Sequence, residues 1–201
     1  SIFPKKGQSY GPTKRDFYES RIYLQNLSKL SSTFNLNQLD GLNTEKSISF
    51  YGIKFGYSLK DAIGRLGKPN YRTSEKRLFE DHRIIFYRLK IATVNCILQL
   101  HFLNDSFFLG VIEMRTGDKK MKARLYELIQ EKYNIQPQIS GRIIRDELGN
   151  QIHVKEDVVP YVIYTTGSTN IRRELLQVID ETSQKKRRTT TSSQDLILDM
   201  A

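Results

Sequence analysis

The sequence predicts an α+β fold, an antiparallel meander packed by two to three helices, on three observations. Val94, Cys96, Leu98, Leu100 and Phe102 alternate with Asn95, Ile97, Gln99 and His101, the period of a strand with one apolar face. Strand-like runs at 84–114 and again at 142–165 are each followed by an amphipathic helix, a cycle that suggests a degenerate internal repeat. Hydrophobic residues make up 38% of the chain, with 11 Tyr and 10 Phe among 201 residues, enough to build a core.

The elements follow in order. Thr13-Lys14-Arg15-Asp16 has the form of a capping box, and Phe17, Arg21, Leu24 and Leu27 at helical spacing predict one helix over Asp16–Leu30. The polar stretch from Ser31 to Thr44 reads as a connection, and Ile48–Phe55 as a strand. Ser58 caps a short helix with Asp61 in its first turn and Leu59, Ile63 and Leu66 on one stripe. Gly67 ends that helix in a left-handed conformation and Pro69 forbids continuation. Gly64 in its interior costs about 1 kcal/mol against Ala, for which close packing is the expected reason.

Ile84–Lys90, Thr93–Leu103 and Phe107–Met114 form the meander, with Asn104-Asp105-Ser106 as a turn. Lys119–Tyr133 is an amphipathic helix, with Met121, Leu125, Leu128 and Ile129 inward. Arg142–Arg145 and Gln151–Val154 flank a turn at Leu148-Gly149-Asn150, Tyr161–Thr165 is a third strand, and Ile171–Glu181 closes as a helix. On this reading 1–15 is a basic arm, 16–181 the body (with sub-units 45–134 and 135–181), and 182–201 a flexible basic, Thr/Ser-rich tail in which Leu196-Ile197-Leu198 can dock.

The net charge of +10 is uneven: residues 1–15 carry Lys5, Lys6, Lys14 and Arg15 with no acid, and 182–201 carry Lys185, Lys186, Arg187 and Arg188 against Asp195 and Asp199. Taking that +4 and +2 from the total leaves only +4 for the body, which argues against the body itself as a nucleic-acid reader. No apolar run reaches the ~18 residues of a membrane span. Ser1 in place of Met implies that an initiator Met, a leader or a tag preceded it, so the compartment is open between the cytoplasm and a bacterial envelope. Cys96 is the only cysteine; inside an apolar alternation it reads as a core residue, not a nucleophile.

The order FGYSLKDAIGRLGKP, then paired strands ending LQLHFLNDSFFLGVIEM, resembles the BamE/SmpA-type outer-membrane lipoproteins and the β-lactamase-inhibitor-like domains of bacterial envelopes, over about Ile53–Met114. The resemblance implies a protein-binding module without catalytic residues; the chain departs from the lipoproteins in having no lipobox cysteine near its start and in its basic tail.

Thr166, Gly167, Ser168, Thr169 and Asn170, between a strand and a helix opening on Arg172 and Arg173, have the donors of an anion site, and equally the residues of an ordinary N-cap. Lys119, Lys120 and Arg124 on one helix, with Lys185, Lys186, Arg187 and Arg188, are candidates for polyanion binding or simply a solvated face. Glu80-Asp81-His82 lacks partner ligands, and His101 and His153 read as solvated strand residues, so no metal or cofactor is called for. Asp146-Glu147 with Gly149-Asn150 reads as a hairpin turn, not a calcium loop. No catalytic set announces itself. The expected function is a non-enzymatic protein-interaction module, using an open sheet face near Ile97 or exposed strand edges; the alternative is a nucleic-acid or polyanion-binding accessory protein using the basic termini and the helix Lys119–Tyr133.

Overall fold

The computed structural model describes residues 12–35, 39–73, 77–136 and 138–198, with 186–198 described by their backbone alone. Its strands are β1 (Gly41–Asn43), β2 (Tyr71–Arg72), β3 (His82–Ile91), β4 (Val94–Leu103), β5 (Ser106–Met114), β6 (Ile143–Arg145), β7 (Gln151–Lys155) and β8 (Tyr161–Thr165). They form one sheet in the order β1-β6-β7-β8-β5-β4-β3-β2, antiparallel throughout except for the β1–β6 pair. With five helices, α1 (Lys14–Glu19), α2 (Leu27–Phe34), α3 (Leu59–Leu66), α4 (Lys119–Tyr133) and α5 (Thr169–Leu198), this is an α+β fold.

The pairing of β5 with β8 joins the two meanders into a continuous sheet. One face packs on α3, α4 and the 48–57 segment, around Phe50, Leu98, Leu100, Phe102, Ile129 and Tyr133. The other packs on α1, α2, α5 and the loop after α1, around Tyr18, Leu30, Phe86, Ile97, Phe108 and Leu175. A two-fold axis through the β5–β8 pair would put α4 and α5 on the same face. They lie on opposite faces, so the repeat extends to the order of the elements and not to their packing. Opposite His101, Phe108 is the extra residue of a β-bulge, which sends Phe107 to one face and both Phe108 and Leu109 to the other.

Several expectations change. The helix expected over Asp16–Leu30 is two, because Gln99 of β4 takes over the backbone between them: its Nε2 donates to the Arg21 carbonyl at 2.6 Å and its Oε1 accepts from Tyr23 N–H at 2.9 Å. That draws Tyr23 and Leu24 onto the sheet, and Asn26 then caps α2 by accepting from Lys29 N–H at 2.8 Å. Ile48–Phe55 is not a strand. It bridges only to itself, Phe50 to Ile53, and lays Phe50 over Gly110, where a Cβ would sit 2.5 Å from the ring.

The face expected to be solvated is covered: Ile97, Gln99 and His101 are fully buried, and His153 is half-buried. The stretch read as a connection after Leu30 holds the end of α2 and β1. Both sheet edges, β2 and β1, are only two and three residues long, which blunts them as templates for an added strand. Gly64 is exposed with open space where a Cβ would go, so packing does not explain it. Gly67 does end α3, at φ +80° and ψ −171°, an extended conformation confined to glycine and not the left-handed helical one. α5 starts at Thr169 and its backbone runs through 182–198; α1 already includes Lys14 and Arg15 with Thr13 as its N-cap, and residues 1–11 of the basic arm lie outside the described residues.

The bounds of α3 and α4 and the Ser58 cap are as expected, though on α4 Tyr126 is buried and Leu128 only half-buried. Ser58 and Asp61 form a reciprocal capping box, and α4 has the predicted bounds with Asp118 capping Lys120 and Met121 N–H. The Asp146–Asn150 turn is a hairpin: Asp146 accepts from Asn150 N–H, the Asn150 amide and Ile48 N–H. Cys96 is buried in the core, and burial pushes its thiol up to about 11, away from nucleophilic use.

Candidate functional site

One row of the second face runs Arg88, Ile97, Glu113, Tyr161, Lys155 across β3, β4, β5, β8 and β7, each residue the direct partner of the next. Lys90 and Arg115 lie just beyond it, Arg115 N–H donating to the Asn95 carbonyl at 2.9 Å. The chain from α1 to α2 crosses this row and brings Phe17, Arg21 and Lys29 to it. The Phe17 ring sits among three guanidinium groups, with the Cζ atoms of Arg21, Arg88 and Arg115 at 4.0, 5.4 and 5.4 Å from its centroid.

Arg21 separates two open depressions. A cleft of about 420 Å³ is lined by Arg21, Tyr23, Lys29, Glu113, Asp157 and Tyr161. A second, of about 430 Å³, is lined by Arg88, Lys90, Asn95, Ile97 and Arg115. Six cations, Arg21, Lys29, Arg88, Lys90, Arg115 and Lys155, thus face two carboxylates, Glu113 and Asp157. Both carboxylates are engaged: Glu113 Oε1 lies 3.5 Å from Arg21 Nε, and Asp157 lies 3.6 Å from Lys155 Nζ. Among the described residues no carboxylate lies within 4.0 Å of Arg88, Lys90 or Arg115.

Glu113 is the chemically distinctive group. Its Oε2 is buried without a hydrogen-bond partner among the described residues. Burial raises its carboxyl above the ordinary range, while Arg21 and then Arg115 pull it down. Burial and the neighbouring Lys155 lower the Lys29 ammonium, which lies 4.7 Å from the Tyr23 ring centroid. The row can therefore hold an anion against several guanidinium and ammonium groups, with a proton-accepting carboxyl at its centre.

The residues singled out in the sequence fall elsewhere. Ser168 caps α5, its Oγ accepting from Ile171 N–H and its carbonyl from Arg172 N–H. Thr166 is buried and its Oγ1 accepts from Ser168 N–H, while Gly167 N–H donates to Asn150 Oδ1 at 2.8 Å. Gly167 touches the β6–β7 turn so closely that a Cβ would lie 2.2 Å from the Leu148 carbonyl oxygen. Most of the loop's donors are thus spent on structure. Thr169, Asn170 and Arg173 are exposed, and Arg172 turns away from them, its Nε donating to the Thr166 carbonyl at 2.9 Å.

On α4, Lys119 and Lys120 are exposed, but Arg124 is paired with Glu127 at 3.1 Å and Glu131 at 3.3 Å. Lys185 lies on α5, and the side chains of Lys186, Arg187 and Arg188 are outside the described residues. Among the described residues no three metal-ligating side chains gather. Sequence reasoning missed the row itself. Its one legible signal is Glu113, the single acid within the apolar run Phe107–Met114. No helix among the described residues is long and apolar enough to cross a membrane. No protein-family model matches the chain, and it matches neither a curated protein nor a solved structure.

Proposed function

We propose that the folded body binds a polyanion, a nucleic-acid strand, along the row from Arg88 and Arg115 through Arg21 to Lys29 and Lys155. The observation that carries this reading is the excess of six cations over two carboxylates on one surface, with no carboxylate within 4.0 Å of Arg88, Lys90 or Arg115 among the described residues. Four strand spacings of roughly 4.8 Å make the row about 19 Å long, room for several phosphates in succession. The body's modest net charge is no objection, because affinity follows the local arrangement of charge and not its total. The apolar part of that face is packed under α1, α2 and α5, with Ile97 fully buried, so what the face leaves open is the charged lining of the two depressions.

The test is fluorescence anisotropy of a labelled oligonucleotide with the full chain at about 50 and 200 mM salt. Arg88→Gln/Lys90→Gln/Arg115→Gln should weaken binding and reduce the salt slope by about 2 to 3, close to one per lost phosphate contact. Lys119→Gln/Lys120→Gln should change little, since it leaves the row intact. A triple variant that binds as tightly and with the same slope as the natural protein would sink the proposal.

A further inference from the structure

The same face carries a second cluster roughly 13 Å away, four residues further along β8. Here four buried polar atoms have no hydrogen-bond partner among the described residues: Arg145 Nε, Gln151 Oε1, Thr165 Oγ1 and Arg172 Nη2. Arg145, Gln151 and Thr165 are successive partners across β6, β7 and β8, so they share a face. Arg172 comes down on it from α5, anchored by its bond to the Thr166 carbonyl. Gln151 is 8% exposed and Thr165 2%, so water does not simply solvate them from outside.

The chemistry of this cluster is one-sided. Neither arginine has a carboxylate within 4.0 Å among the described residues. The two guanidinium groups are close enough that Arg145 lowers the Arg172 pKa, second only to burial. Arg145 lies against β1 where Gly41 has no side chain; a Cβ there would be 3.2 Å from its Nη1. Holding two like charges together with unfilled donors is unfavourable unless something neutralises them. Two guanidinium forks and a hydroxyl match a tetrahedral oxyanion, and the Gln151 amide, turned over, adds a further donor.

We infer that Arg145, Gln151, Thr165 and Arg172 hold a phosphate group. Its source is either inorganic phosphate or a phosphate ester with an apolar body, because Arg172 also lines a groove of about 230 Å³ between α2 and α5, with Leu30, Phe34, Leu175 and Ile179. This site is separate from the polyanion row and stands or falls independently of it.

The experiment is thermal unfolding of the full chain in phosphate-free buffer of fixed ionic strength, titrated with inorganic phosphate, octyl phosphate or sodium chloride. The expected result is a saturable rise in Tm with phosphate that chloride does not reproduce. Arg145→Met should unfold no lower than the natural protein without phosphate, since it removes a repulsion, and both it and Arg172→Met, which also gives up the bond to the Thr166 carbonyl, should lose the phosphate shift. Should either fail to fold, Arg172→Lys, which keeps the charge and loses the fork, should need at least tenfold more phosphate for the same shift. Arg88→Gln/Lys90→Gln/Arg115→Gln should keep the shift. An octyl phosphate response at tenfold lower concentration than phosphate identifies an ester seated in the groove, and equal responses identify the free anion. A phosphate effect no larger than that of chloride, or one that persists in both methionine variants, overturns the inference.

Discussion

Acidification from pH 7 to 5 is expected to destabilise this fold through two histidines with no access to water. Leu78 N–H donates to His82 Nδ1 at 3.2 Å, so the His82 proton sits on Nε2, 3.0 Å from His101 Nδ1. The His101 proton is then on its own Nε2, which is buried with no hydrogen-bond partner among the described residues. A second proton on either ring would place a charge among Phe79 and Phe108. Burial, with Arg77 adding, holds His82 down at about 3, and burial, with His82 adding, holds His101 well below its ordinary value of 6.5. The unfolded chain takes up both protons as the pH falls through 6.5 and the folded chain takes up neither, so stability is present above 6.5 and lost below it.

Integrated from pH 7 to 5, that linkage is worth about 2 kcal/mol per histidine, so about 4 kcal/mol for the pair, against a typical total of about 5–15 kcal/mol. Urea unfolding followed by circular dichroism at the two pH values measures it directly. The control is His82→Leu/His101→Leu, whose loss between pH 7 and 5 should be smaller by roughly that amount; half-buried His153 titrates in both proteins and cancels. Equal losses in the two proteins would refute the argument, as would a natural protein that is flat over this range.

Three further outcomes are expected. Gly64→Ala should raise stability by up to about 1 kcal/mol in urea titration, because the position is helical, exposed and open. Gln99→Leu should cost roughly 2–4 kcal/mol by the same assay, since it strands the Tyr23 N–H and the Arg21 carbonyl in a buried place. Glu113→Gln should tighten oligonucleotide binding at pH 7 and flatten its pH dependence. The raised carboxyl is ionised and repels phosphate at high pH, then takes up a proton as the pH falls, so in the natural protein affinity should rise on acidification. An unchanged anisotropy profile for Glu113→Gln would remove that residue from the interface.

How far the sequence was legible depends on the range of the forces involved. The capped helix Leu59–Leu66 and the helix Lys119–Tyr133 could be read almost residue by residue, because capping, stripe and stop are settled within a few positions of each other. The strands of the meander were readable for the same reason: alternation is local. Gln99 shows the limit. In sequence it is a polar residue on a strand face; in the fold it replaces the backbone bonds of a helix 76 and 78 residues away and splits that helix in two.

The candidate sites lie entirely on the long-range side. Arg88, Glu113 and Lys155 come from three separate strands and Arg21 from the loop between α1 and α2, while Arg145, Gln151, Thr165 and Arg172 come from four separate elements. Charge and type are visible along the chain, but whether an arginine meets a carboxylate or another arginine is decided by sheet register and by which face a helix covers. The sequence by itself determined the α+β class, most element bounds and a core rich in aromatic and branched side chains, since these rest on local periodicity and composition. The tertiary structure alone decided that both sheet faces are covered, that two histidines are sealed inside, and that cations outnumber the carboxylates beside them at two places among the described residues, because burial and electrostatic pairing depend on distance in space.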